Sequence, residues 1–264
     1  MKIYKYWVIE KALITLDGEE QEIKCYGGSN LSEADAVEQA RQKIEKVKSK
    51  IAGHPQVFED YQVEIREEIV NALDDRTVIT RNRYGAQVLN VQDQMIMDID
   101  QPKRSFWDLF KKRTDDKLKI VAMVRALAQK PLYQSCSFRI YETSKGMRVI
   151  VLGRTFNPQA AETRSMMDEF NCDQLYSYLC KRQDCFRARL TPKPSRMRVR
   201  GYRVKYPRDA AADQEFRAWL SGYETASKNY SVCKFIEQIG PASPTAAVRL
   251  HDELSGAFLS QTLA

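Results

Sequence analysis

The chain has 264 residues, 43% of them hydrophobic and 10% aromatic, and its 42 basic and 35 acidic side chains leave a net charge of +7. That is enough apolar material for a packed core and argues against disorder, while the lack of any apolar run of about 18 residues excludes a membrane-spanning helix. The six cysteines contain no CxxC pair and have only His54 and His251 to assist them, so no zinc site is expected and they read as reduced core residues of a cytoplasmic protein.

The opening residues, Met1 to Trp7, read as a strand rather than a signal peptide. Ile3 to Leu16 alternates apolar and polar residues, turns at Asp17-Gly18 and resumes from Gln21 to Tyr26, the pattern of a β-hairpin that Gly27-Gly28 ends. Ser32 caps a helix whose first turn holds Glu33 and Asp35, and Ala36, Ala40, Ile44 and Val47 carry its apolar stripe to about Ile51. Gly53-His54-Pro55 breaks it. Tyr61 to Leu73 fits neither period clearly. Between Thr77 and Asn90, Arg81 and Arg83 flank a turn in which Gly85 permits close backbone approach, an arrangement suited to phosphate as well as to a plain hairpin.

Further on, a helix is expected from about Lys117 to Gln129, and Phe138 to Leu152 reads as two strands around Thr143-Ser144-Lys145-Gly146. A helical stretch begins after Phe156-Asn157-Pro158 and another spans Asp173 to Lys181. Strands are expected at Phe186 to Leu190 and Val199 to Tyr206. From Arg208 the pattern is helical, ending in a tail that contains Gly240-Pro241. Ten bases lie between Lys181 and Lys205 against the single acid Asp184, a local field that suits phosphates.

The chemistry concentrates at Met95-Ile96-Met97-Asp98-Ile99-Asp100. In a strand, residues i and i+2 share a face about 6.5–7 Å apart, so Asp98 and Asp100 project together while Met97 and Ile99 face the core. Paired carboxylates call for a cation, and their hard oxygens suit Mg²⁺ or Mn²⁺. Two ions about 3.5–4 Å apart serve nucleotidyl transfer by stabilising the attacking and leaving oxygens. Three carboxylates suffice to hold them, of which Asp98 and Asp100 from one strand supply two.

This order of residues resembles the archaeo-eukaryotic primase, or primase-polymerase, superfamily. The apolar strand ending in Asp98-Ile99-Asp100 corresponds to the family's first motif. Thr143 to Arg148 corresponds to its small-residue hairpin, with Arg148 where the family has His. Asp173, ahead of the segment from Phe186 to Pro194, corresponds to its third. The resemblance covers roughly Val88 to Arg198. It implies a divalent-metal-dependent nucleotidyltransferase of DNA replication or repair, with Mg²⁺ or Mn²⁺, a nucleoside triphosphate and DNA or RNA as its companions. Asp98, Asp100 and Asp173 are then the catalytic and metal-binding residues. Ser144, Lys145, Arg148, Arg187, Arg189, Lys193, Arg81 and Arg83 are candidates for phosphate, and Glu142 is a further possible ligand.

The expected architecture is α/β with a mixed, largely antiparallel sheet: a hairpin-helix unit over 1–76, an RRM-like catalytic unit over 77–207 and a helical appendage over 208–264. Two other classes compete: a non-catalytic nucleic-acid or nucleotide-binding protein with the same fold, and a glycosyltransferase that uses Asp-x-Asp for Mn²⁺. A metal nuclease lacks its Glu-x-Lys strand, since Glu142 and Lys145 are three apart.

Overall fold

Twelve strands and six helices are built from residues 1–16, 18–51, 64–102, 114–202 and 206–264, which are those that the computed structural model describes. β1 (Tyr6–Leu16) and β2 (Glu19–Ser29) form the expected antiparallel hairpin, with Tyr6 opposite Ser29. α1 (Glu33–Ile51) lies on it, its start capped by the Ser32 hydroxyl, which accepts the Asp35 N–H at 3.1 Å. Gly27 does not end the hairpin. A Cβ there would strike the Ala36 carbonyl, so the missing side chain is what lets α1 sit against β2.

Two four-stranded sheets follow. The first, in the order β3-β4-β5-β9, joins β3 (Glu68–Asp74), β4 (Thr77–Arg81), β5 (Gln87–Val91) and β9 (Phe186–Arg189), antiparallel throughout. The second, in the order β11-β7-β8-β6, joins β6 (Ile96–Asp100), β7 (Ser137–Thr143), β8 (Gly146–Leu152) and β11 (Cys233–Ile239). α2 (Thr114–Ala128), α3 (Ala161–Glu169) and α4 (Gln174–Gln183) stand near the expected places. A short parallel pair, β10 (Tyr230–Ser231) and β12 (Thr262–Leu263), completes the strands.

The mixed, largely antiparallel α/β class is as expected; the unit boundaries are not. A division at 76 cuts the β3–β4 hairpin, whose turn lies there. The C-terminal stretch holds the expected helices, α5 (Ala210–Ser227) and α6 (Ala246–Leu254), but between them β11 pairs with β7 and so belongs to the second sheet. Within the expected tail, Gly240 follows that strand with a positive φ of 91°, and Ala247 and Val248 enter the core.

One apolar core unites both sheets, including Leu89, Val91 and Phe186 from the first and Ile96, Met97, Phe138, Ile140 and Ile150 from the second. Phe138 stacks on Phe170 at 5.4 Å between centroids, and each such fully buried side chain contributes about 1.5–3 kcal/mol. All six cysteines are free and five are buried, as expected of core thiols. No helix among the described residues is long and apolar enough to cross a membrane. The break at Gly53-His54-Pro55 and residues 203–205 of the last expected strand lie outside the described residues; 199–202 form no strand.

Candidate functional site

β6 ends one sheet and β9 ends the other, and the two edges run side by side, stitched by side chains instead of a ladder. The Tyr176 hydroxyl, from α4, lies 2.9 Å from the Ile96 carbonyl and 3.0 Å from the Arg187 carbonyl, and accepts the Arg187 N–H at 3.1 Å. Arg148 Nη1 donates to the Arg189 carbonyl at 3.2 Å. This seam holds the functional candidates.

Met97 and Ile99 are buried, so the strand period turns Asp98 and Asp100 to the other face. Asp173 joins them through the backbone: Asn171, at φ 53°, turns the chain after α3, and the Asp173 N–H then donates to the Asp98 carbonyl at 2.9 Å. Asp173 also caps α4, its Oδ1 accepting the Tyr176 N–H at 2.7 Å. Asp173, distant in sequence, is thereby brought beside the strand that carries Asp98 and Asp100. Burial, then the charges of Asp173 and Asp98, lift the Asp100 carboxyl above its ordinary range, against the pull of Lys145 and Arg196. Asp100 and Asp173 share a cleft of about 450 Å³ with Asn171, Cys172 and Gln174.

Asp98 is already engaged. It stands directly opposite Arg148 in the β6–β8 register, and the guanidinium donates to both its oxygens, Nε to Oδ1 at 2.8 Å and Nη2 to Oδ2 at 3.2 Å. Arg148 is 2% exposed. Burial works against its charge, but Asp98 more than compensates and holds it protonated. Arg148 is thus a clamp on Asp98, which corrects its assignment as a phosphate contact.

Cations gather opposite the acids. Lys145 sits in the β7–β8 turn, exposed, with Ser144 half-buried beside it, and its carbonyl accepts the Gln101 N–H at 3.1 Å. Arg189 ends β9, and Lys193 and Arg196 flank the short turn at Pro194. Burial, then Arg196 and Arg148, push the Arg189 guanidinium down to about 10, and its Nε has no hydrogen-bond partner among the described residues. Burial followed by Arg189 and Arg196 likewise lowers Lys193. Burial lowers Arg196, with Asp100 and Asp98 opposing.

The remaining candidates sit elsewhere, committed to structure. Arg187 is turned inward and pairs with Glu67. Arg81 is buried, donating to the Gly85 carbonyl at 2.9 Å and pairing with Glu224 at 3.2 Å. Arg83 folds over its neighbour Tyr84, 4.8 Å from the ring centroid. The space that Gly85 leaves is filled by the Trp219 ring, not held open for a phosphate. Glu142 pairs with Lys117 at 2.7 Å. Sequence reasoning missed Arg196, Tyr176 and His251. The signal for His251 was its place with Asp252 on the stripe of α6 that Ala247 and Val248 mark as buried.

Among the described residues no three acid, histidine or cysteine side chains converge closely enough to hold a metal ion by themselves. Mg²⁺ does not ask for that: it commonly binds one or two carboxylates and completes its shell with water and substrate phosphates. Asp100 and Asp173 supply such a pair, and each Asp98 oxygen retains acceptor capacity beside Arg148. The residues fit a cation carried by a phosphate chain rather than one caged by protein. Comparison with protein-family models, with curated proteins and with solved structures finds no match for this chain.

Proposed function

We propose that the seam is the nucleotide site of a primase-polymerase-like nucleotidyltransferase, one that adds nucleotides to DNA or RNA. The observation that carries this reading is the two-sidedness of the seam. Asp98, Asp100 and Asp173 lie on one side, near enough for the charges of the other two to raise Asp100. Lys145, Arg189, Lys193 and Arg196 meet on the other, with Arg189 short of negative charge. A divalent cation on a triphosphate supplies both deficits at once.

In this reading the four cations hold and orient the phosphates, with the guanidiniums of Arg189 and Arg196 offering paired donors. Asp100 and Asp173, with Asp98 alongside, would take Mg²⁺ or Mn²⁺, which supplies charge neutralisation at the reacting oxygens. Tyr176 fixes the distance between the two walls. A second reading, a binding protein without catalysis, is favoured by one observation: the clamp of Arg148 on Asp98 leaves that acid less free than its neighbours.

The test is nucleotide incorporation on primed and unprimed templates with Mn²⁺, for the parent and for Asp100→Asn with Asp173→Asn, the latter keeping a capping side chain on α4. Incorporation by the parent and none by the double variant is expected. With ATP at a hundred times its Kd, the parent gains about 2.7 kcal/mol of stability, and the variant does not. Nucleotide binding that survives in chelator, with no incorporation, establishes the second reading instead. If the double variant matches the parent in both assays, neither acid serves the site and the first reading is lost.

A further inference from the structure

Behind Arg148 lies a buried chain of polar groups that the site does not explain. Arg148 Nη1 approaches His251 Nε2 at 3.3 Å, and His251 Nδ1 lies 3.1 Å from Asp252 Oδ1. Asp252 is itself fixed, Oδ1 accepting the Tyr141 hydroxyl at 2.6 Å and Oδ2 accepting from Arg139. The imidazole is completely buried, against the Tyr141 ring at 5.0 Å and with the Cys233 sulfur 3.9 Å from Nε2.

A guanidinium only donates and a carboxylate only accepts. The ring between them must therefore carry its proton on Nδ1, toward Asp252, and offer the Nε2 lone pair to Arg148. Burial and the Arg148 charge keep it neutral, consistent with that tautomer. We propose that His251 and Asp252 are positioning residues for the seam: the imidazole, locked in one tautomer by Asp252, fixes the Arg148 guanidinium and through it the orientation of Asp98. The geometry runs in one line from α6 to β8 to β6, and each link is a hydrogen bond that leaves the next group one way to turn. A bare packing role would need no acceptor at Nε2. The residue would then be exchangeable for an apolar side chain of similar size.

The consequence for binding rests on the nucleotide reading above; the hold on Arg148 does not. Both are read with His251→Leu, which fills the space without an acceptor, and His251→Gln, whose amide oxygen can take the place of Nε2. In the parent, the Arg148 Nε–H resonance, assigned by its loss in Arg148→Lys, is expected to exchange slowly. It accelerates in His251→Leu and is restored in His251→Gln. Affinity for Mn²⁺–ATP follows the same order, falling about tenfold or more in His251→Leu, as for partners that orient ligating residues. Affinity for inorganic tripolyphosphate, which reads the basic wall alone, stays within about twofold by the same logic of separate contacts.

An unchanged Arg148 resonance in His251→Leu overturns the proposal, and so does a failure of His251→Gln to restore it. Loss of both affinities in proportion to loss of stability overturns it as well. If the parent binds no Mn²⁺–ATP while the resonance behaves as stated, the relay stands and the nucleotide reading fails. Should His251→Leu not fold, the ring nitrogens of the parent decide: a proton on Nδ1 supports the relay, and one on Nε2 ends it.

Discussion

Asp100 shows in a single side chain what crowding acids at the seam does to a titration. Burial, reinforced by Asp173 and Asp98, lifts the Asp100 carboxyl above its ordinary range, so the folded chain keeps that proton to a higher pH than the unfolded chain does. Stability from this group therefore falls as pH rises through the interval between the two pKa values. Asp100→Asn removes the repulsion and is expected to be more stable than the parent at pH 7. The gap should close as pH falls below about 4, where the unfolded carboxyl is protonated too. Urea unfolding at pH 7 and pH 3.5 checks this, and a gap of constant size contradicts it. If the proposed nucleotide site is correct, the same substitution is expected to weaken Mn²⁺–ATP binding.

At the scale of elements, the β7–β8 turn and the end of β6 are tied by close approach. Gly146 stands opposite Asp100 in the register, and a Cβ on it would land on the Ile99 carbonyl. Gly146→Ala must push β6 aside at its last residues, a cost of about 1–3 kcal/mol for overpacking. Because Asp100 ends that strand, Mn²⁺–ATP binding should suffer more than tripolyphosphate binding; equal loss of both contradicts the account. The DxD strand, this hairpin, α1, α2 and β9 were all legible, because each carries a local period and a turn residue that chemistry dictates. The roles of the arginines were not. Alternation places Arg187 and Arg189 on one strand face, yet Glu67, distant in the chain, takes the first and leaves the second at the seam. Arg148 likewise read as a phosphate ligand because nothing local reveals that Asp98 stands directly across from it. β11 was missed because its pattern follows a helix and its only justification is the β7 edge it covers.

For the molecule as a whole, the net charge is +7, and ten of its bases fall between Lys181 and Lys205, the segment that holds Arg189, Lys193 and Arg196. Lys193 and Arg196 sit beyond Arg189 on the chain that leaves β9, and on the proposed reading they would meet a polynucleotide backbone as well as a triphosphate. Removing both by Lys193→Ala and Arg196→Ala should lower the slope of log affinity against log salt for single-stranded DNA by about 1.4, from roughly 0.7 per phosphate contact. An unchanged slope places the polynucleotide elsewhere. Folding the chain brings α4, α6, β6, β8 and β9 to one line, and the account depends on that line being a single site with an acid wall and a basic wall. The most direct measurement is a crystal soaked with Mn²⁺ and a non-hydrolysable nucleoside triphosphate. An anomalous manganese peak is expected within about 2.2 Å of an Asp100 or Asp173 oxygen, in the range of such hard-cation bonds, with phosphates on Lys145, Arg189, Lys193 and Arg196. Manganese and triphosphate bound at separate places, or the phosphates lying away from the seam, would contradict it.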